Sequence, residues 1–236
     1  SEYITPYATN ANVWVRNFAG VNGPFAGTQA LYIYPQSGFT PGSDTLAAVS
    51  PQFADIQLGD KQVRFYANTD DIIVQLYVGT SDGTPGSFNA LDTISFAAID
   101  TYQEVIVPIT TLNGYNGTDT YVVLAHSLPS TTANFDYIRI DEFNYEVMPA
   151  CPKPQGLGVA NLTANSADLV WNSPSGGTSF EVEFGAAGFT QGAGMLSPVT
   201  GATTVTMSNL SPATAYEFYV REFCSATDTS VWNGPF

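Results

Sequence analysis

Short apolar segments whose residues alternate with polar ones run through the whole chain, and they most constrain its fold. Val105, Val107 and Ile109 share one parity, as Phe180 and Val182 do further along. Side chains of a strand point to its two faces in turn, so this alternation predicts strands with one buried face. Turn-forming residues separate the segments, and no stretch shows the period of an amphipathic helix. The sequence therefore predicts an all-β protein.

The alternation slips once, in the stretch 136–147. The apolar residues before Asp141 lie on one parity and those after Glu142 lie on the other. They are Ile138 and Ile140, then Phe143, Tyr145 and Val147. One face of a regular strand cannot carry both sets. A β-bulge at Asp141-Glu142 would return both sets to the core, and a strand that crosses from one sheet to another would also explain the slip.

The segment MPACPKPQG, residues 148–156, follows this strand and separates two regions. Its prolines and glycine break any strand, so we predict two domains, at 1–148 and 149–236. The first region has eight or nine short strands joined by turns, which predicts a jelly-roll β-sandwich. The second has seven strand segments in a shorter span, which predicts a smaller antiparallel sandwich.

The first region carries an ordered series of short motifs. They are Trp14, Gly27, Ala30-Leu31, Asp44-x-Leu46, Ser50-Pro51, Val63-Arg64-Phe65, Leu76-x-Val78-Gly79-Thr80 and Ile140-Asp141-x-Phe143. Their order over roughly 12–147 resembles the MAM-like, cleaved-adhesin jelly rolls of large secreted Bacteroidetes proteins. Members of that family usually begin with a strand containing Phe-Glu before the Trp, and this chain starts with SEYITPYATN instead. The resemblance implies an extracellular jelly roll.

The second region is similar to a fibronectin type III domain. The matching residues are Pro154, Trp171, Leu210, Pro212, Thr214, Tyr216 and Val220. The resemblance implies a seven-stranded sandwich in which Tyr216 is the corner tyrosine, whose hydroxyl bonds to nearby backbone. Glu181 and Glu183 alternate with apolar residues of one strand, and we interpret them as a solvated strand face.

The charge of the chain excludes several classes of partner. Six Lys and Arg stand against 21 Asp and Glu, a net charge of −15. Nucleic acids and anionic lipids require clustered basic residues, so we expect neither as a partner. No apolar run is long enough to span a bilayer, so no membrane insertion is predicted. The low charged fraction, and a start at Ser1 without Met, are typical of a mature or excised part of a secreted or cell-surface protein.

The sequence predicts no catalysis. The single histidine, His126, lies in the apolar segment YVVLAHS, which indicates a buried or edge structural residue and no triad. The laminarinase-like jelly rolls carry Glu-x-Asp-x-x-Glu on a strand. Here Arg139 and Asn144 stand where the two glutamates would be, so the paired carboxylates of a glycosidase are missing.

Two functions from different classes fit these observations. In the first, the chain is a non-catalytic binding or adhesion module pair that recognises a glycan or an extracellular protein, because sugars stack on exposed aromatic rings. The candidates are Tyr115 in the loop LNGYNG, and Tyr32 and Tyr34, which lie opposite the core-facing parity. The alternative for Tyr32 and Tyr34 is that they complete the packing of a sheet. In the second function, the chain is a structural spacer of a larger adhesin, filament or secreted enzyme.

Cys151 and Cys224 are the two cysteines, and we predict that they form a disulfide. The resemblance to a fibronectin type III domain places Cys151 before the first strand and Cys224 at the end of the sixth, near one end of the sandwich. An oxidised pair suits an exported protein. The alternative is a pair of buried free thiols.

Asp141 and Glu142 stand side by side at the slip, so at least one of them points toward buried neighbours. A buried carboxylate needs a partner, and few cations are present. We predict a structural calcium ion held in part by Asp141, with Asp44 as a second candidate ligand. Jelly rolls of the kind that this region resembles often carry calcium near the closing strand. The alternatives are an ion pair of Asp141 with Arg139 or Lys61, or a carboxylate that faces water.

Asp44-Thr45-Leu46 and Asp92-Thr93-Ile94 match a short O-glycosylation pattern seen in Bacteroidetes. We therefore expect Thr45 and Thr93 as candidate acceptor residues.

Overall fold

The computed structural model describes residues 5–6, 11–17, 24–27, 29–35, 45–84, 86–127 and 136–236. The chain divides into two compact units, Ser1–Val147 and Met148–Phe236. Strands dominate both units. Among the described residues, none of the helices has the length and apolar character needed to cross a membrane.

The described residues of the first unit form ten strands and two short 3-10 helices. The strands are β1 Thr5–Pro6, β2 Ala11–Asn17, β3 Gln29–Pro35, β4 Thr45–Val49, β5 Lys61–Thr69, β6 Gln75–Ser81, β7 Asn89–Ser95, β8 Gln103–Ile109, β9 Tyr121–Ser127 and β10 Ile138–Val147. The 3-10 helices are Ile56–Leu58 and Thr111–Asn113.

These strands form two five-stranded sheets. Sheet 1 has the order β1-β4-β9-β6-β7 and sheet 2 has the order β2-β3-β10-β5-β8. The antiparallel pairs are nested, since β3 pairs with β10, β4 with β9, β5 with β8 and β6 with β7. Such nesting is that of a long hairpin rolled into two facing sheets, which is a jelly roll. The predicted all-β, jelly-roll fold of the first unit is confirmed.

Alternation along each strand puts the apolar residues between the two sheets. The fully buried members include Ile33, Leu46, Val63, Phe65, Leu76, Val107, Ile138 and Ile140. One apolar pair lies outside this core, because β6 begins at Gln75 and leaves Ile72 and Ile73 in a turn, 54% and 44% exposed. The cause is Asp71, whose carboxylate accepts the N–H of Ile73 and whose carbonyl accepts that of Val74.

The slip in β10 is a β-bulge. The strand pairs with β5 on both sides of the irregularity, and its register shifts between Asp141 and Asn144. Glu142 has φ +51°, a left-handed conformation that a regular strand does not contain. Ile140 before the bulge and Tyr145 after it both pack against the same core. The bulge interpretation is confirmed, and the crossover interpretation is wrong because β10 stays in sheet 2.

The second unit is a smaller sandwich of two three-stranded sheets. Its strands are β11 Gln155–Ala160, β12 Ser166–Asn172, β13 Ser179–Ala186, β14 Met195–Thr200, β15 Thr204–Ser208 and β16 Tyr216–Glu222. One sheet has the order β11-β12-β15 and the other β14-β13-β16. Trp171, Phe180, Val182, Phe218 and Val220 are buried between them.

Residues 229–236 take the place of the expected seventh strand. They meet β16 through two isolated bridges, Thr229 with Phe223 and Asn233 with Val220. The amides of Val220 and Asn233 each donate to the carbonyl of the other, at 2.9 and 2.8 Å. Phe236 exchanges a second such pair of hydrogen bonds with Phe218, both at 3.0 Å. Gly234-Pro235 lies between the two pairs, and a proline cannot donate to the ladder, so the pairing does not become a continuous strand.

Tyr216 has the expected role of a corner tyrosine, since its hydroxyl oxygen accepts the backbone N–H of Ser211 at 3.0 Å. The expectation for Glu183 is wrong. Its side chain is 1% exposed, and one carboxylate oxygen accepts the N–H groups of Gly192 and Gly194, each at 2.7 Å. The glycine-rich loop folds over this face of β13. Glu181 beside it forms an ion pair with Arg221.

The predicted disulfide between Cys151 and Cys224 is present, with Cα atoms 5.7 Å apart and 73 residues of sequence separation. Cys224 follows β16 and Cys151 precedes β11, so the bond joins the start of the second unit to the end of its last strand. The alternative of two free thiols is wrong.

Replacing both cysteines by alanine is expected to lower the free energy of unfolding of the second unit by roughly 4 kcal/mol, because a long loop in the unfolded chain loses its cross-link. Differential scanning calorimetry of the oxidised protein and of the double variant measures this. The transition of the first unit serves as the internal control and should not move. An unchanged second transition would contradict the expectation.

His126 on β9 is buried, in agreement with the sequence, and in register with Leu46 and Leu76. Neither of its ring nitrogens has a hydrogen-bond partner. Burial lowers the pKa of His126 to about 4 from an ordinary value of 6.5, because the charged imidazolium would lose its hydration. The folded state therefore holds this ring neutral.

A depressed histidine pKa makes stability depend on pH. The unfolded chain binds the proton first as the pH falls from 6.5 to about 4. The free energy of unfolding of the first unit therefore decreases by about 3 kcal/mol as the pH falls through this window, and it is highest above pH 6.5. Urea unfolding of the protein and of a His126→Leu variant at several pH values measures the difference. Parallel pH profiles for the two proteins would contradict the expectation.

Candidate functional site

The outer face of sheet 2, which points away from the inter-sheet core, carries an unusual density of aromatic rings. Tyr32 and Asn68 flank Arg139 in one row across the sheet. Asp141 and Tyr66 lie side by side in the next row. We call this surface the aromatic face, and its rings are Phe25, Tyr32, Tyr34, Tyr66, Tyr102 and Tyr137.

The rings form two clusters. In the first, the ring centroid of Tyr32 lies 5.7 Å from that of Tyr34 and 4.8 Å from that of Tyr137. In the second, Phe25 stacks on Tyr66 at 3.7 Å, and Tyr102 meets the edge of Phe25 at 5.7 Å. Phe25 is 47% exposed and the five tyrosines are half-buried, so ring surface remains open to solvent.

Arg139 lies between the two clusters and is 3% exposed. Its guanidinium stands 4.3 Å from the centre of the Tyr137 ring and donates to the Asp100 carboxylate at 3.5 Å and to the Tyr137 hydroxyl. The Tyr137 hydroxyl in turn donates to Asp100 at 3.3 Å. Asp100 is held in place because its N–H donates to the carbonyl of Thr69 at 2.7 Å. A buried guanidinium needs such partners, and they fix the position of the first cluster.

Burial raises the pKa of the Tyr137 hydroxyl, and it also raises the pKa of the Tyr102 hydroxyl. Both groups stay protonated at neutral pH and remain hydrogen-bond donors. The aromatic face therefore offers ring surface, phenolic donors and the Asp100 carboxylate. The two cations described on the outer face of sheet 2 are already engaged, Arg139 with Asp100 and Tyr137, and Arg64 with Glu146.

Two of the three predicted binding residues lie on the aromatic face. Tyr32 and Tyr34 point outward and pack on each other, and Tyr32 also packs on Tyr137, so neither ring enters the inter-sheet core. Tyr115 does not belong to the site. It is 4% exposed and packs into the core, and its hydroxyl donates to the Asp119 carbonyl at 2.7 Å. The prediction that Tyr115 offers an exposed ring is therefore wrong.

Three further rings of the aromatic face were not predicted from the sequence, for different reasons. Tyr66 could have been found, because it has the parity opposite Phe65 and Ala67 on a strongly alternating strand. Phe25 and Tyr102 lie outside strands, and their position depends on contacts distant in sequence.

Asp141 connects a loop to the aromatic face. It is 9% exposed, one carboxylate oxygen accepts the N–H of Ala26 at 2.9 Å, and the other accepts the N–H of Glu142 at 2.8 Å. The bond to Ala26 holds Phe25 over Tyr66. Lys61, one of the suggested partners of Asp141, instead forms ion pairs with Asp55 and Asp60 at 3.3 and 2.7 Å.

The second candidate calcium ligand, Asp44, lies outside the described residues. Within the described ranges, no three acidic, histidine or cysteine side chains are grouped so as to hold a metal ion. Each carboxylate oxygen of Asp141 keeps a lone pair beyond its N–H bond. Of the two candidate glycosylation residues, Thr93 is exposed on β7, and the side chain of Thr45 is not among those described.

Comparison with known proteins identifies the second unit. The family model of the fibronectin type III domain matches residues 152–234. No curated protein matches the chain in sequence. Among solved structures, the glycoside hydrolase domain of Endo-D from Streptococcus pneumoniae R6 is similar at a TM-score of 0.42 and 12% identity, covering 98% of this chain and 36% of that one. The chain thus spans about a third of that hydrolase structure.

Two further structures are similar to one part of the chain each. TmCBM61 in complex with β-1,4-galactotriose has a TM-score of 0.40 and 12% identity, covering 62% of this chain and 89% of that one. The FN3 domain of human collagen XX has a TM-score of 0.30 and 18% identity, covering 37% of this chain and 93% of that one. With the family match, the two-sheet topology and the Tyr216 corner in place, residues 152–234 form a fibronectin type III domain.

Proposed function

We propose that the first unit binds a glycan on its aromatic face, as a non-catalytic recognition module of a longer secreted or cell-surface protein, and that the fibronectin type III domain spaces it from neighbouring domains. The observation that carries this proposal is the pair of ring clusters on the outer face of sheet 2. Rings held by neighbours, instead of loose in a flexible loop, offer a preorganised stacking surface.

The chemistry of the aromatic face suits a sugar chain. The apolar C–H faces of pyranose rings stack on aromatic side chains, and their hydroxyl groups pair with polar groups beside the rings. Tyr32 and Tyr34 supply stacking surface, while Asp100 and the phenolic groups supply hydrogen-bond partners. The net charge of −15 favours a neutral glycan over an acidic one.

The carboxylates near this face support a function without catalysis. A glycosidase needs two carboxyl groups facing each other across the scissile bond. Asp141 is occupied by two backbone N–H groups, and Asp100 is paired with Arg139. Asn144 donates to the carbonyl of Glu142 at 2.6 Å and takes no carboxylate role.

The location outside the cell rests on the second unit. The disulfide needs an oxidising compartment, and fibronectin type III domains occur in extracellular multidomain chains. The resemblance of the first unit to cleaved-adhesin jelly rolls fits a large secreted parent of the Bacteroidetes kind. A purely structural spacer is the second candidate, which the same fibronectin domain favours.

A glycan array probed with the whole chain tests the recognition function. We expect binding to one class of neutral glycan, and a loss of at least about tenfold in affinity for Tyr32→Ala and Tyr34→Ala, since stacking on one ring contributes about 1.5 kcal/mol. Tyr77→Ala is the matched control, because Tyr77 lies in sheet 1 and bonds only to Gln75 in the described structure. An array without any binding would favour the spacer function, and equal losses in all three variants would place the site elsewhere.

We also propose a structural calcium ion at Asp141, with Asp44 as a further ligand. Calcium accepts carboxylates and carbonyls in irregular geometry, and a lone pair of each Asp141 oxygen is available to it. Added calcium should raise the melting temperature of the first unit, because it binds the folded state only. Asp141→Asn should remove that increment. A melting temperature that calcium and chelator leave unchanged, in protein shown by elemental analysis to be metal-free, would reject the ion.

A further inference from the structure

The first unit contains an apolar cavity of about 550 Å³ between its two sheets, at the end near the β10 bulge. Its walls come from both sheets and include Val49, Pro51, Val122, Leu124, Ile140 and Phe143. The cavity is therefore a gap in the inter-sheet core and is separate from the aromatic face, which lies on the opposite side of sheet 2. A volume of this size exceeds the voids of an ordinary packed interior.

One strand edge runs along this cavity with no neighbouring strand among the described residues. β10 pairs with β3 only over Ile138–Ile140, whereas it pairs with β5 as far as Val147. From Asp141 to Val147 the strand therefore has a partner on one side alone among the described residues. Phe143 and Val147 carry core-facing parity here, yet they are 38% and 62% exposed.

The other edge of sheet 2 is protected in a way that this edge is not. The outer strand there, β8, contains Glu104 and Pro108. Proline removes a ladder donor and a charge disfavours close approach, which are common defences against strand addition. Residues 143–147, FNYEV, contain no proline, and their one charged side chain, Glu146, is turned to the outer face, where it pairs with Arg64 at 3.1 Å.

A carboxylate marks the mouth of the cavity. Glu142 lines it, is exposed, and stands at the bulge with φ +51°. Its backbone makes hydrogen bonds with Asp141 and Asn144, but its carboxylate forms no ion pair among the described residues. In a chain with net charge −15, this position favours a basic group on whatever enters.

We propose that this strand-accepting groove, formed by the 141–147 edge of β10 and the adjoining cavity, binds an extended segment of a partner protein that has apolar residues at alternate positions and a Lys or Arg near Glu142. Main-chain hydrogen bonds to the edge fix the segment in the β conformation. Period-two alternation then directs every second side chain into the cavity, beside Phe143, and the others to the outer face.

The test uses the whole chain and a synthetic peptide, KTITFTITK, with a fluorescent label. We expect saturable binding by fluorescence anisotropy. Val49→Trp, which fills the cavity, should weaken binding at least about tenfold. Glu142→Gln should weaken the peptide affinity about threefold, because a single exposed ion pair contributes little to binding. Glu104→Gln on β8 is the matched control and should leave affinity unchanged.

A second measurement does not depend on the folding of any variant. Amide hydrogen exchange of the unaltered protein should show new protection within 143–147 on peptide binding, and none along β8. A peptide methylated at alternate backbone nitrogens should lose binding, since methylation removes the ladder donors.

The proposal is overturned by the absence of saturable binding, by equal binding of the methylated peptide, or by exchange protection that spares 143–147. A concentration-dependent dimer of the chain that excludes the peptide would also overturn it, because the occupant would then be a second copy of the chain. These outcomes do not affect the glycan proposal, whose site lies on the other side of sheet 2.

Discussion

The carboxylate of Asp141 links the β10 bulge to the loop that carries Phe25, and both surfaces of the first unit depend on this link. It accepts one N–H from the bulge at Glu142 and one from Ala26, at 2.8 and 2.9 Å. The first bond stabilises a left-handed residue within a strand. The second fixes the loop that carries Phe25 onto Tyr66. Hydrogen bonds to a buried charged acceptor contribute about 2 kcal/mol each, so two such bonds offset much of the cost of the bulge and of the buried carboxylate.

One period-two pattern produces both the core and the aromatic face. In β3, Leu31 and Ile33 point inward, and because side chains of a strand alternate between its faces, Tyr32 and Tyr34 point outward. Placing a functional surface on a strand face makes it as rigid as the sheet beneath it. The fold is that of many β-sandwiches. The outer face of sheet 2 is distinctive only because aromatic residues occupy its outward-pointing positions.

Parity also explains what the sequence could and could not predict. Strands, the bulge at Asp141-Glu142 and the buried His126 follow from local alternation, and they are found. Tyr115 and Glu183 depend on loops folding back over them, a contact that no local pattern encodes. Tyr115 lies under a turn and Glu183 under the amides of a glycine-rich loop. Charged residues buried by backbone donors, such as Glu183, look like solvated residues in a sequence because their partners carry no side-chain signature.

The bulge divides β10 into two halves with different neighbours, and this division gives the first unit two dissimilar surfaces. Before Asp141 the strand is central, with β3 and β5 on its sides, and its outward residue Arg139 organises the aromatic face. After Asp141 the described residues pair with it only on the β5 side, and its inward residue Phe143 lines a cavity. Covering a side chain such as Phe143 contributes about 2 kcal/mol. An incoming strand would cover Phe143, whose orientation is already fixed by the register of β10 with β5. The conformational entropy lost on binding would therefore come almost wholly from the incoming strand.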